Sequence, residues 1–165
     1  NVALRSMFRE DVDVAMIGEM RDAETMAAAV TAAETGHLIL STLHTNNAAQ
    51  TLDRIIDSFP ADQQNQIRSQ LANTLVGIVS QRLIPRIEGG LVPAIEIMIA
   101  NSATRNLIRE NRMHEIDLVI ETSSDEGMIA LNRSMVDLVR TGEIGLESAI
   151  NYSLNPGELQ LLLKK

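Results

Sequence analysis

The sequence of 165 residues contains no cysteine and no tryptophan, and only two phenylalanines and one tyrosine. Without cysteine, the chain has no disulfide framework and no thiolate metal site. With so few aromatic rings, its core must be filled by leucine, isoleucine, valine, methionine and alanine. A chain of this length is typical of one domain, large enough to bury about two-thirds of the surface of its unfolded form.

Basic residues are also scarce, since 14 lysines and arginines face 22 aspartates and glutamates and the net charge is −8. This balance argues against a nucleic-acid-binding surface, which normally carries a basic stripe. The apolar runs are too short to cross a membrane, and no signal peptide is recognisable. We therefore expect a cytoplasmic protein with no nucleic-acid partner and no direct membrane insertion.

The segment around which the chain is organised is residues 13–22. The apolar run Val14–Ile17 predicts a strand covered on both faces, as in a parallel sheet. Gly18 permits a turn or a close backbone approach. Glu19 and Arg21 follow at the edge where open α/β sheets bind ligands. The pattern therefore predicts a polar site at this strand end.

A helix and a second strand follow directly. Asp22 is a suitable N-cap for a helix over residues 23–34, and Gly36 is a suitable residue just beyond its end. Residues 37–45 predict a strand with polar groups at its end. Strand, helix and strand in so short a span predict a βαβ unit with parallel strands. Because both strands then end on one edge, we expect Glu19 and His44 to lie close together.

The rest of the chain predicts a hairpin and several helices. Gly89-Gly90 between the strand-like residues 83–87 and 91–99 indicates the hairpin turn. A long helix is expected from Pro60 through Ile78 and Val79. Shorter helices are expected at residues 3–10, 47–58, 103–111, 114–120, 128–140, 146–152 and 158–165. The change in character predicts a core of residues 1–100 and a helical subdomain of residues 101–165.

Several segments resemble motifs of the secretion ATPases that serve type II secretion and type IV pili. Residues 17–22, Ile-Gly-Glu-Met-Arg-Asp, are similar to the atypical Walker B segment of that family. Residues 35–45, Thr-Gly-His-Leu-Ile-Leu-Ser-Thr-Leu-His-Thr, resemble its His box, and residues 53–60 continue the match. Residues 103–110, Ala-Thr-Arg-Asn-Leu-Ile-Arg-Glu, resemble the motif of the PilT-type retraction ATPases, with Thr104 where that motif usually has an apolar residue.

The resemblance implies a fold and an activity. The fold is α/β: part of a RecA-like P-loop ATPase core, with a mostly parallel sheet and a β-hairpin, followed by a small helical subdomain. The activity is ATP hydrolysis with Mg²⁺ in a homo-hexamer, coupled to pilus retraction and twitching motility. The implied partners are inner-membrane components at the pilus base. The implied location is the cytoplasm, peripheral to the inner membrane.

One motif of such an ATPase is missing from the sequence. No Gly-x-x-x-x-Gly-Lys-Ser/Thr occurs, the loop that holds phosphates with backbone N–H groups and a lysine. The first residue is asparagine rather than an initiator methionine. We therefore expect a downstream part of a longer protein whose upstream part carries the Walker A loop. This part alone is expected to be inactive as an ATPase.

Two other functions stay open at this point. The motor of a pilus-assembly or type II secretion ATPase would share Glu19 and His44. Those members commonly carry a four-cysteine zinc element, which PilT-type members lack, and this chain has no cysteine. The second alternative is a non-catalytic interaction domain that keeps the fold.

Glu19 and His44 are the candidate catalytic residues. Phosphoryl transfer depends on positioned charge, and Mg²⁺ prefers oxygen ligands. Glu19 is suited to hold Mg²⁺ through a water or to polarise the attacking water; the alternative is a simple ion pair with Arg21 or Arg54. His44 precedes a helix N-terminus that suits an anion, where an imidazole can sense a γ-phosphate. The alternative is a histidine hydrogen-bonded to a neighbouring loop.

Further candidates for nucleotide binding lie on the same two segments. They are Arg21, Thr42, Thr45 and His37. Arg21 is expected to contact phosphate or to pair with Glu19 or Asp22. His37 begins the second strand, at the opposite edge from His44, so from the residues alone it is structural or interfacial. The same spacing disfavours a zinc site made of His37, His44 and Glu19.

The motif at residues 103–110 has a different implied role. By resemblance it couples ATP turnover to retraction rather than performing hydrolysis. Its residues are Ala103, Arg105, Asn106, Leu107, Ile108, Arg109 and Glu110. Helical spacing predicts that Leu107 and Ile108 anchor the helix while Arg105, Arg109 and Glu110 face outward. The simpler alternative is a solvated helical face.

Overall fold

The computed structural model describes residues 11–164, which begin with the predicted βαβ unit. Strand β1 comprises Val14–Ile17, helix α1 Ala23–Glu34 and strand β2 Leu38–Ser41. The two strands pair in parallel, with Ile17 opposite Ser41 at their downstream ends. The predicted unit is therefore confirmed, and both strands end on the same edge.

Helix α1 begins and ends at the residues that its capping pattern predicts. The Asp22 carboxylate accepts a hydrogen bond from the Thr25 backbone N–H at 2.8 Å. Gly36 lies just past the helix with a φ of 97°, the left-handed region that favours glycine. These two residues fix the length of the connection between β1 and β2.

Three further helices complete the first of two compact units. They are α2 (Ala48–Asp57), α3 (Ala61–Thr74) and α4 (Ser102–Arg109), and α3 packs against α1 and α4. This unit comprises the described residues up to Thr45 together with Ala49–Val76 and Ala100–His114. Its buried apolar side chains include Met26, Leu52, Ile55, Ile56, Ile67, Leu71, Leu107 and Ile108.

The second unit is built on the predicted hairpin. Strands β3 (Gly77–Pro85) and β4 (Leu91–Ile99) pair antiparallel along their full length. Gly89 and Gly90 make the turn with φ values of 90° and 79°, so the glycine pair does what the sequence predicts.

Four helices follow in this part of the chain, and two of them pack against the hairpin. They are α5 (Ile116–Thr122), α6 (Leu131–Arg140), α7 (Leu146–Tyr152) and α8 (Pro156–Leu163), with single 3-10 turns at Met113–Glu115 and Ser124–Glu126. Helix α6 packs against β4 and α7 against β3, while α8 packs against α6 and α7. The core of this unit consists of Ile84, Ala94, Leu131, Met135, Val136, Ile144, Ala149 and Leu159.

Two predicted helices are wrong at their ends. Helix α3 ends at Thr74, and Ile78 and Val79 lie in β3 opposite Met98 and Ile97. These β-branched residues suit a pleated strand, and the nine-residue pairing with β4 overrides their helical spacing. Similarly, the helix expected from residue 128 begins at Leu131.

The expectation that β1 is covered on both faces is also wrong for the described residues, and β2 is open in the same way. Alternate side chains of both strands are exposed: Val14, Met16, Leu38 and Leu40. Alternate residues of a strand point to opposite faces, and α1 packs against β2 from one side. Residues 11–164 therefore leave one apolar face of this parallel pair uncovered.

The two compact units do not follow the division expected at residue 100. Helix α4 belongs with the first unit because it packs against α3, whereas the hairpin belongs with the helices after residue 115. The division of the complete protein into domains stays a prediction. The helix expected at residues 3–10 lies outside the described residues. Within residues 11–164, no helix combines the length and the apolar character needed to cross a membrane.

Candidate functional site

The loops that follow β1 and β2 are held together by hydrogen bonds. The Met20 backbone N–H donates to the Thr42 carbonyl at 3.2 Å. The Thr42 hydroxyl donates in turn to the Gly18 carbonyl at 2.5 Å. Thr42 therefore joins the two strand ends, and its hydroxyl is engaged with the Gly18 carbonyl.

Glu19 and His44 meet at this edge, as the parallel pairing predicts. The Glu19 Oε1 atom lies 3.3 Å from His44 Nε2. The Glu19 side chain is 24% exposed and that of His44 is 83% exposed, so the histidine is open to a ligand while the carboxylate is partly covered. The predicted proximity of these two side chains is confirmed; their roles stay predictions.

Arg21 occupies the other oxygen of the same carboxylate. Its Nε donates to Glu19 Oε2 at 2.7 Å, and its Nη2 lies 2.7 Å from the same atom. This hydrogen bond lowers the pKa of Glu19 from its usual 4.5, and the charges of Arg21, His44 and Arg54 act in the same direction. Glu19 is therefore an ionised acceptor at neutral pH, paired with Arg21 as one of the alternatives expected.

The remaining candidates on these segments are placed differently. Thr45 lies near the start of α2, and its hydroxyl is 2.7 Å from that of Thr51. His37 precedes β2 at the opposite end from His44, with Nδ1 3.1 Å from both the Ala32 carbonyl and the Thr35 hydroxyl. The structure brings Glu19, Arg21, His44 and Thr42 together and leaves His37 apart.

The donor set fits Mg²⁺ better than zinc. Among residues 11–164, no group of three or more histidine, aspartate or glutamate side chains is placed to hold a metal ion. Zinc needs such a protein set, whereas Mg²⁺ is commonly bound by one or two carboxylates together with phosphate and water oxygens. Glu19 supplies one carboxylate of that kind.

Helix α4 carries the motif at residues 103–110, and one part of its predicted orientation is wrong. Leu107 and Ile108 are buried and Arg109 and Glu110 are exposed, as predicted. Arg105 is only half-exposed, because its guanidinium donates to backbone carbonyls of the α3 end instead of facing outward.

The unusual Thr104 of the motif is explained by its surroundings. Its side chain is fully buried, and its hydroxyl donates to the Asn101 carbonyl at 3.0 Å. The Asn101 side chain in turn accepts from the Thr104 backbone N–H at 3.0 Å and caps α4. A polar residue is tolerated at this apolar position because the cap satisfies it.

Sequence reasoning missed Glu96, a buried carboxyl on β4. It is 5% exposed and accepts hydrogen bonds from the Ala48 backbone N–H at 2.7 Å and the Ser80 hydroxyl at 3.3 Å. Burial raises the pKa of Glu96 above its usual value. The available signal was its place between inward-facing Ala94 and Met98 in a strand of period two.

These features define an α/β protein with a polar cluster at the end of a parallel strand pair. Residues 1–141 match the family described as Type II/IV secretion system protein, and the chain belongs to that family. Its sequence is 50% identical over 154 residues to a "Twitching motility protein" of Neisseria gonorrhoeae, covering 93% of this chain and 41% of the relative. It is 49% identical over 147 residues to the "Type IV pilus retractation ATPase PilT" of Pseudomonas aeruginosa, covering 89% of this chain and 43% of the relative.

A solved structure agrees with these relatives. The crystal structure of the pilus retraction motor PilT with bound ADP superposes with a TM-score of 0.88 at 47% identity, covering 97% of this chain and 45% of that one. The predicted fold class, a partial RecA-like ATPase core with a helical part, is confirmed. The chain spans less than half the length of the curated relatives described above.

Proposed function

We propose that this chain is the downstream part of the motor domain of an ATPase that couples Mg²⁺·ATP hydrolysis to type IV pilus retraction. The observation that carries the proposal is the meeting of Glu19 and His44 at the ends of the parallel strands, 3.3 Å apart. Strand ends of open α/β sheets are where such folds bind their ligands. Family membership and the motif at residues 103–110 support retraction as the work performed.

In this proposal Glu19 acts as the positioning carboxylate. Because Arg21 holds its pKa below the usual value, Glu19 is ionised at neutral pH and accepts hydrogen bonds from water. A carboxylate so placed orients the attacking water or holds Mg²⁺ through a water molecule. Mg²⁺, when bound, supplies charge neutralisation on the phosphates.

His44 and its neighbours form the other side of the proposed site. The exposed imidazole donates a hydrogen bond toward the terminal phosphate, and its contact with Glu19 links that phosphate to the carboxylate. Arg21 is exposed and supplies positive charge at the same edge. Thr42 and Thr45 contribute by holding the two strand-end loops in place.

The rest of the complete protein is needed for this activity. This chain contains no Gly-x-x-x-x-Gly-Lys-Ser/Thr loop, so we propose that the remaining part of the protein supplies it. We also propose a homo-hexameric ring in the cytoplasm, at the inner membrane, acting on components of the pilus base. Alone, this chain is expected to be inactive.

The second candidate is the motor of an assembly or type II secretion ATPase. It would use Glu19 and His44 in the same way. The absence of cysteine and the sequence of residues 103–110 favour the retraction motor. A non-catalytic interaction domain is the remaining alternative, and an absence of turnover would favour it.

The test uses the complete protein, wild type beside Glu19→Gln, with Glu88→Gln as control in the hairpin turn. We expect Mg²⁺-dependent ATP hydrolysis that falls at least about tenfold in Glu19→Gln and is unchanged in the control. In cells that lack their own retraction ATPase, wild type and control should restore retraction and Glu19→Gln should not. An absence of ATP turnover in the assembled wild type would contradict the proposal that the protein is an ATPase. Turnover without retraction would favour the assembly or secretion motor.

A further inference from the structure

Arg105 makes an unusual set of contacts for a residue whose helical spacing predicts an outward-facing side chain. Its Nε donates to the Ala100 carbonyl at 2.9 Å. Its Nη1 donates to the Ala72 carbonyl and, at 3.0 Å, to that of Asn73. Its Nη2 donates to the Leu75 carbonyl at 3.0 Å. Four of the five N–H groups of a guanidinium are thus used on backbone oxygens.

Three of these carbonyls, those of Ala72, Asn73 and Leu75, belong to the end of α3, where such groups lack helical partners. The last four carbonyls of a helix receive no intrahelical hydrogen bond, and positive charge is favourable there. Helix α3 has no basic residue in its own last turn. Arg105 supplies that charge and those donors from α4, so it caps a helix to which it does not belong.

The same place is where the chain enters and leaves the hairpin. The chain leaves the first unit after Val76 to form β3 and returns to that unit at Ala100. The Ala100 backbone N–H donates to the Val76 carbonyl at 3.0 Å, which joins the two crossing segments directly. Residues 72–76 and 100–105, the helix corner, are therefore joined to each other by this backbone hydrogen bond and by the Arg105 side chain.

We propose that Arg105 is a positioning residue that holds the helix corner in one conformation. We also propose that the motif at residues 103–110 contributes to retraction through this corner. The proposal rests on the proposed function for its second half. A guanidinium engaged in this way has little capacity left for a partner protein. Its contribution is to hold the C-terminal end of α3 and the N-terminal end of α4 in one conformation during ATP turnover.

Arg109 provides the matched comparison on the same helix. Its guanidinium donates to the side-chain oxygens of Asn106 at 3.1 Å and Asn73 at 3.0 Å, and it is exposed. The charge and side-chain type are those of Arg105, but these contacts are to side chains rather than to helix-end carbonyls. Replacement of Arg109 removes one side-chain contact to Asn73 but leaves the four bonds of Arg105 to backbone carbonyls in place, so it should loosen the corner less than replacement of Arg105.

The experiment compares Arg105→Gln, Arg105→Lys and Arg109→Gln in the complete protein. Amide hydrogen exchange is measured at Leu75 and Ala100, with Val14–Ile17 as an internal reference, together with ATP turnover per folded protein and retraction rate. For Arg105→Gln we expect at least about tenfold faster exchange at the corner only. We also expect turnover within about twofold of wild type and retraction at least about tenfold slower. Arg105→Lys should be intermediate, because an ammonium reaches fewer of the carbonyls.

Four results decide the proposal. Equal exchange at Leu75 and Ala100 in Arg105→Gln and Arg109→Gln would overturn it, and so would a fall of turnover and retraction by the same factor in Arg105→Gln. If Arg105→Gln does not fold, the result for Arg105→Lys decides. A loss of retraction larger than the loss of turnover supports the proposal, and equal losses overturn it. If the wild type neither hydrolyses ATP nor retracts pili, the proposed function fails, and exchange at Leu75 and Ala100 alone supports or overturns the corner.

Discussion

Glu19 and Glu96 are both glutamates associated with strands, and their surroundings give them opposite properties. Glu19 follows β1 at an open edge, where Arg21 and His44 contact its carboxylate and lower its pKa. Glu96 lies within β4, buried against the first N–H of α2, and burial raises its pKa. The comparison shows that Glu96, inside a well-paired strand, is engaged in holding the structure, whereas Glu19, just past a strand end, is ionised at an open edge, where we propose that it acts on the nucleotide.

The two sheets that carry these residues differ in the same sense. The parallel pair β1 and β2 has four residue pairs and an exposed apolar face. The hairpin has nine residue pairs and a face buried under α6 and α7. Local packing should therefore respond strongly to changes in the hairpin and weakly to changes in the parallel pair.

The largest expected effect comes from removing side-chain volume in the hairpin core. Ile84→Ala should lower the free energy of unfolding by about 2–5 kcal/mol, because Ile84 is fully buried among the core residues of its unit. In a chain of residues 1–165, Met16→Ala in β1 should change it by less than about 0.5 kcal/mol, because Met16 is 73% exposed there. Urea unfolding of both variants measures the difference. Equal losses in the free energy of unfolding would contradict the stated difference between the two sheets.

A smaller effect is expected from adding one carbon atom. A Cβ on Gly77 would lie 2.8 Å from the Met98 carbonyl oxygen, so Gly77→Ala should cost about 1–3 kcal/mol as the strands shift apart. A Cβ on Gly18 meets no atom within 4 Å, so Gly18→Ala should be close to neutral. Thermal unfolding of the two variants is the measurement. A neutral Gly77→Ala would contradict the close approach of β3 and β4.

The smallest expected effect is a change in how stability depends on pH. Because the folded pKa of Glu96 is raised, its stabilising contribution is complete below the unfolded value near 4.5 and is lost as pH rises through the folded pKa. The folded pKa of Glu19 is lowered, so its contribution is present above 4.5 and is lost as pH falls through that pKa. The stability of wild type relative to Glu96→Gln should fall from pH 4.5 toward pH 7.

The corresponding difference for Glu19→Gln should move the other way. The stability of wild type relative to this variant should rise as pH increases through the acid range up to about 4.5, the usual value for a glutamate. Unfolding curves at several pH values measure both differences. The same sign of slope in the two variants would contradict the environments described for the two carboxyls.

The sequence predicts local features where one residue decides the conformation. Asp22 and Gly36 bound α1, and Gly89-Gly90 turns the hairpin, because capping and positive φ depend on the residue itself. The parallel pairing of β1 and β2 follows from the helical crossover α1 that connects them. This pairing is what made the meeting of Glu19 and His44 predictable.

The features that the sequence did not predict depend on distant partners. The end of α3 was placed too late because Ile78 and Val79 fit a helical period, and only β4 shows that they belong to a strand. Arg105 was expected to face outward because nothing in its own helix indicates the carbonyls of α3. Glu96 was missed because the N–H that it accepts lies 48 residues earlier in the chain.

The most direct test of this account replaces each carboxyl by the same amide. The turnover number for ATP is measured in the complete protein carrying Glu19→Gln and in the one carrying Glu96→Gln. The account predicts a loss of at least about tenfold for Glu19→Gln and a value within about threefold of wild type for Glu96→Gln, whose side-chain oxygen still accepts the Ala48 N–H. Equal turnover in the two variants, or a larger loss in Glu96→Gln, would contradict the placement of the site at the end of β1.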